Sequence, residues 1–136
     1  MDQEQKKVLV IDDSKETREL IAELIGGDEF EVLLAPGGRE GIMLAKMKKP
    51  DLILLDMEMP KMNGIGTCRV LKKNPMLQNI PVIFLTANKN PDDVKMAIAA
   101  GGQDYIVKPF NPEELLARIR KLLTKTGFNP NSVIRG

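Results

Sequence analysis

Residues 52–64 read LILLDMEMPKMNG. Four apolar residues, Leu52 to Leu55, run straight into Asp56. The run is too short for a helix and suits a strand buried on both faces. The same grammar recurs along the chain. Val8 to Ile11 runs into Asp12-Asp13, Val82 to Leu85 into Thr86, and the shorter Tyr105 to Val107 into Lys108. A fifth run, Phe30 to Ala35, mixes polar with apolar residues and suits an edge strand.

Segments with helical periodicity lie between these runs. Leu20, Ile21, Leu24 and Ile25 form one apolar stripe, and Leu115, Leu116, Ile119, Leu122 and Leu123 another. Asn90-Pro91 and Asn111-Pro112 each set a capping side chain before a proline at the first helical position, with Glu114 placed to complete a capping box on Asn111. Gly26-Gly27, Gly101-Gly102 and Gly127 fall where helices should stop. Five strands alternating with five helices predict an α/β fold, doubly wound, with a parallel sheet covered by helices on both faces through right-handed crossovers. In such a sheet Asp12, Asp13, Asp56, Thr86 and Lys108 meet at the carboxyl edge, where open α/β folds place their sites.

Composition narrows the chemistry. The chain has 136 residues, enough for one domain with a real core. Its 20 Lys and Arg against 19 Asp and Glu leave a formal charge of +1, so no bulk charge draws it to nucleic acid or to an acidic membrane. There is no histidine and a single cysteine, Cys68, which excludes an internal disulfide, a thiolate metal cluster and histidine-based catalysis. The start, MDQEQKKV, lacks the apolar run of a signal peptide, and no apolar stretch approaches membrane-span length, so the expected compartment is the cytoplasm. Residues from Thr126 onward, with Gly127, Pro130 and few apolar side chains, read as a tail or linker stub, which gives an expected domain of 1–125 and a tail of 126–136.

Three carboxylates crowded together repel one another, and a divalent cation is their natural neutraliser. Oxygen-only ligands point to magnesium or manganese. Lys108 and Thr86 would supply a positive charge and a hydrogen bond to phosphoryl oxygens while one carboxylate acts as nucleophile. Such a site makes and breaks an acyl phosphate.

The motifs VLVIDDS, LILLDMEMPKMNG, VIFLTA and YIVKPF resemble those of bacterial two-component receiver domains, of the chemotaxis-regulator type, over roughly residues 7 to 125. The resemblance implies a five-stranded sheet of order 2-1-3-4-5 in a flavodoxin-like three-layer sandwich. It implies that Asp56 is the phosphoacceptor and that Asp12 and Asp13 are the acidic pair at the metal, with Glu58 offering its backbone carbonyl. Thr86 corresponds to the switch hydroxyl, Lys108 to the family's lysine, Tyr105 to the aromatic switch, and Pro109 to a cis proline after that lysine. Glu58 and Asn88 occupy positions that vary within the family. The implied donor is a sensor histidine kinase or phosphotransfer protein, since this chain has no histidine of its own. The implied output is an effector protein or attached domain reading the face of the fourth helix, fifth strand and fifth helix, or a homodimer formed there. Asp104 and Arg118 on this face read first as two solvated charges and second as a pair across such a dimer.

Blander readings compete residue by residue. Asp13, with Glu16 three residues on, reads equally well alone as a helix cap. Thr86 alone is an ordinary strand residue. Met57, Met59 and Met62 read as gap fillers and Cys68 as a small buried hydrophobe. A phosphatase of the haloacid dehalogenase type would place its nucleophile after the first strand and add a cap domain. A flavodoxin-like cofactor binder would want Ser, Thr and Gly where Asp12-Asp13 stand.

Overall fold

The computed structural model describes residues 5–87 and 90–125. Five strands and five helices alternate: β1 (Lys6–Ile11), α1 (Lys15–Ile25), β2 (Phe30–Ala35), α2 (Gly38–Lys48), β3 (Leu52–Asp56), α3 (Gly64–Lys73), β4 (Val82–Thr86), α4 (Pro91–Ala99), β5 (Asp104–Val107) and α5 (Pro112–Lys125). Every strand pair is parallel, and the order is β2-β1-β3-β4-β5. That is the doubly wound sheet and the order expected, with Phe30 to Ala35 at an edge. Asn88 and the expected tail from Thr126 lie outside the described residues.

Strand alternation divides the core in two. Leu9, Ile11, Ile53, Leu55, Val82 and Phe84 face the side covered by α2, α3 and α4. Val8, Val10, Leu52, Leu54, Ile83, Leu85 and Ile106 face the side covered by α1 and α5. Leu52 to Leu55 and Val82 to Leu85 have no exposed surface, which explains why they are apolar at every position rather than at alternate ones. Full burial of each such side chain stabilises by about 1.5–3 kcal/mol.

The helix ends refine the sequence reading. Ser14, not Asp13, caps α1, its side chain accepting from the Thr17 amide at 3.2 Å, so Asp13 remains available for other work. Asn90 caps α4 by accepting from the Asp92 amide, with Pro91 at the first turn. Asn111 Oδ1 accepts from the Glu113 and Glu114 amides at 2.8 and 3.2 Å. Glu114 is drawn instead to Arg118 at 3.0 Å, one turn along the helix, so the observed cap is Asn111 receiving two amides. Met57 and Met59 are buried and Met62 packs against the same core, as gap fillers do. Cys68 is fully buried and its thiol faces the Ala100 carbonyl at 3.3 Å. Among the described residues no helix is long and apolar enough to cross a membrane.

Candidate functional site

Four polar or charged residues are buried among the described residues, and three of them, Asp12, Asp56 and Thr86, lie at the carboxyl edge of the sheet. Buried charge is costly unless partnered. Strand pairing fixes where each stands: the Asp12 amide donates to the Ala35 carbonyl at 3.1 Å, the Met57 amide to Leu85 at 2.8 Å, and the Lys108 amide to Thr86 at 2.7 Å. Alternation then aims the side chains. Asp56 follows Leu52 and Leu54 onto the α1 and α5 side, whereas Thr86 follows Val82 and Phe84 onto the other.

The carboxylates of Asp12, Asp13 and Asp56 each offer an oxygen within 4.8 Å of the others. Asp12 and Asp56 are buried and Asp13 is exposed, so the cluster opens to solvent through Asp13. Lys108 Nζ stands 3.1 Å from Asp12 Oδ2 and 3.3 Å from Asp56 Oδ1. One ammonium thus faces two buried carboxylates. Desolvation first, then the charge of Asp12, pushes the Asp56 carboxyl up to about 7, with Lys108 pulling the other way. Desolvation also works against the Lys108 ammonium, yet Asp56 and Asp12 outweigh it and hold its pKa above that of an ordinary lysine. The excess negative charge, the all-oxygen donors and their spacing fit a hard divalent cation such as magnesium.

Further contacts hold the site in place. The Ser14 amide donates to Asp12 Oδ1 at 2.9 Å, and Arg18 Nη1 donates to the Asp12 carbonyl at 2.7 Å. Arg18 carries no signal in the sequence, because nothing in helical periodicity says that a polar α1 residue will fold back onto the β1 end. The Glu58 amide donates to Asp56 Oδ1 at 3.3 Å. Glu58 also turns its carboxylate to β4, where it accepts from the Thr86 hydroxyl at 2.9 Å and from the Ala87 amide at 3.5 Å. The sequence points only to the backbone of Glu58, and the structure adds its side chain.

The β3 to α3 connection passes close to the backbone of Asp56. A Cβ on Gly64 would sit 2.3 Å from the Asp56 carbonyl oxygen and 2.8 Å from Met57 Cα, both backbone atoms that cannot swing away. Gly64→Ala is therefore expected to lose about 2 kcal/mol in urea unfolding, in the range of overpacking. It should also shift the Asp56 amide resonance.

The remaining predicted residues are on the same edge or next to it. The Lys108–Pro109 peptide bond is cis. Tyr105 on β5 is half-buried and packs against the core under α4 rather than standing free in solvent. Arg118 Nη1 bonds Asp104 Oδ1 at 2.8 Å and the Tyr105 carbonyl at 2.9 Å within the same molecule. Asp104 precedes Ile106 by two residues and so shares its α5 side, which puts the carboxylate beside the α5 arginine. The two side chains, which the sequence reads first as solvated charges, thus form an ion pair within one molecule. Tyr105, Glu114 and Arg118 border a cleft of about 380 Å³ on this face.

A model of the response regulator receiver domain matches residues 8–120. The DNA-binding response regulator MtrA of Mycobacterium tuberculosis is 34% identical over 134 residues, 98% of this chain and 58% of that protein. The probable transcriptional regulator ycf27 of Cyanophora paradoxa is 39% identical over 126 residues, 93% of this chain and 52% of that protein. The chain thus spans little more than half the length of these relatives. Among solved structures, the Vibrio cholerae chemotaxis protein CheY4 superposes with a TM-score of 0.83 at 30% identity, covering 87% of this chain and 98% of that one. The receiver domain of a signal transduction histidine kinase from Syntrophus aciditrophicus gives 0.82 at 32% identity, covering 90% and 92%.

Proposed function

The chain belongs to the response regulator receiver domain family of two-component systems, and on that premise we propose that it accepts a phosphoryl group on Asp56 in a magnesium-dependent reaction. The observation that carries the reading is the convergence of three carboxylates and one lysine ammonium at the ends of β1, β3 and β5. Asp12, Asp13 and Asp56, with the backbone carbonyl of Glu58, would hold the cation. Bound there, magnesium would neutralise the carboxylates and draw charge from the phosphoryl oxygens.

The rest is done by the chain's own groups. An Asp56 carboxylate oxygen forms the new P–O bond as the P–N bond to a phosphohistidine breaks, and the departing imidazole keeps the electron pair and takes a proton. Lys108, already within 3.3 Å of Asp56, offers its ammonium to the incoming phosphoryl oxygens. Thr86 offers its hydroxyl from the neighbouring strand. A charge-assisted bond from Thr86 would draw the end of β4 inward, and Tyr105, on the next strand and the same side, would repack beneath α4. The face of α4, β5 and α5 would then present a different surface to an effector protein, an attached output domain or a second copy. The donor would be a sensor histidine kinase or phosphotransfer protein, and the setting cytoplasmic. The domain is a signalling module whose own chemistry is limited to taking and losing this group.

Intact-mass analysis tests the reading. With a small phosphoramidate or acyl phosphate donor and magnesium, one phosphoryl group should add to the parent and none to Asp56→Asn. Equal labelling of that variant, or of the parent with magnesium chelated, would place the chemistry elsewhere.

A further inference from the structure

Glu58 has no work to do as a capping or packing residue. It follows β3 by two positions, its side chain is exposed, and its carboxylate reaches across to the end of the neighbouring strand. There it takes the Thr86 hydroxyl at 2.9 Å through Oε2 and lies 3.5 Å from the Ala87 amide through Oε1. Thr86 itself is fully buried. A hydroxyl carries one proton and so makes one donated hydrogen bond, and a backbone amide likewise has one. A carboxylate with two oxygens on these donors resembles, in charge and in acceptor geometry, two oxygens of a phosphoryl group.

We propose that Glu58 is an internal competitor of the phosphoryl group: its carboxylate holds the Thr86 hydroxyl in the resting protein, and the modified Asp56 gains that hydroxyl only as Glu58 lets it go. The proposal rests on the phosphoacceptor reading and adds to it a residue that sets how readily the switch is thrown. The Glu58 amide supports the arrangement by donating to Asp56 Oδ1 at 3.3 Å, which keeps the residue beside the nucleophile whichever way its side chain turns. Release need not disturb the core, because Glu58 is exposed and its freed carboxylate returns to water.

Two variants separate this competition from simple charge repulsion. Glu58→Gln removes the charge and keeps an acceptor oxygen, whereas Glu58→Met removes both at similar length. Beryllofluoride with magnesium serves as the phosphoryl mimic, with affinity read by titration of amide resonances. Loss of charge alone should tighten binding equally in both variants. Competition for the hydroxyl adds a further gain of about fivefold in Glu58→Met over Glu58→Gln, the worth of one ordinary hydrogen bond. That gain should vanish in a Thr86→Ala background, where no hydroxyl is left to contest. Without metal or mimic, the Thr86 and Ala87 amide resonances should move in Glu58→Met and stay near the parent positions in Glu58→Gln. Equal affinities of the two variants, or a gain that survives Thr86→Ala, overturns the competition and leaves the phosphoacceptor reading intact. A parent that takes no beryllofluoride with magnesium overturns that reading, and the competition with it.

Discussion

Asp56→Asn is expected to melt roughly 5–15 °C above the parent at pH 8 in magnesium-free buffer, and close to it at pH 4. The cause is the raised carboxyl of Asp56, near 7 in the folded protein against an ordinary value of 3.8. Between those two values the folded chain keeps a proton that the unfolded chain has already released. Stability therefore falls as pH rises through the window from about 4 to 7 and levels off above it. A rise from 3.8 to about 7 is worth about 4 kcal/mol at most, and solvent reaching the site through Asp13 makes roughly 2–4 kcal/mol the expected range. An asparagine carries no charge to bury and escapes the penalty. Differential scanning calorimetry at the two pH values decides the matter, and equal melting at pH 8 would remove the electrostatic strain from the account. Magnesium should narrow the gap from the parent's side, since a cation present at tenfold its dissociation constant adds about 1.4 kcal/mol to the state that binds it.

Lys108→Met is expected to move the other way, losing about 2–3 kcal/mol in urea unfolding at pH 8 without magnesium. The lysine side chain is mostly buried and its ammonium lies between Asp12 and Asp56, both nearly or fully buried. Removing it leaves two carboxylates facing each other. Breaking a buried ion pair costs about 3–5 kcal/mol when the stranded charge has no escape, but Asp56 has one, because it takes up a proton. The loss should therefore shrink toward pH 5. In the Asp56→Asn background the same lysine change should cost less by about 1–2 kcal/mol, since the two side chains act on each other directly. Strict additivity of the two changes would mean that the 3.3 Å contact contributes nothing in solution.

The opposite signs of these two effects describe a site held short of its optimum for stability. Asp12 and Asp56 are buried together with one ammonium between them, and the resting fold bears a charge that a cation would relieve. Excess charge of this kind is what phosphoryl chemistry needs when a metal is shared between protein and substrate oxygens.

How much of this was readable in the primary structure follows the range of the forces involved. Leu52 to Leu55 and Val82 to Leu85 announced buried strands because apolar burial and strand length act over a few consecutive residues. The residues that end those strands were legible as a site because a parallel sheet brings all its carboxyl ends to one edge, whatever the side chains do afterwards. Asp12, Asp13, Asp56 and Lys108 were therefore assembled from topology alone, and they do meet. What long, flexible side chains do once they arrive is another matter. Glu58 reaches Thr86, 28 residues away, while itself remaining exposed. Arg18 anchors the Asp12 carbonyl, and Arg118 turns to Asp104 and Tyr105 instead of standing as a solvated charge. Each of these choices pits a hydrogen bond worth about a kcal/mol against rotamer entropy of the same size. No local pattern encodes which wins, because the deciding partner comes from a distant element and is in place only after the sheet and its helices have packed.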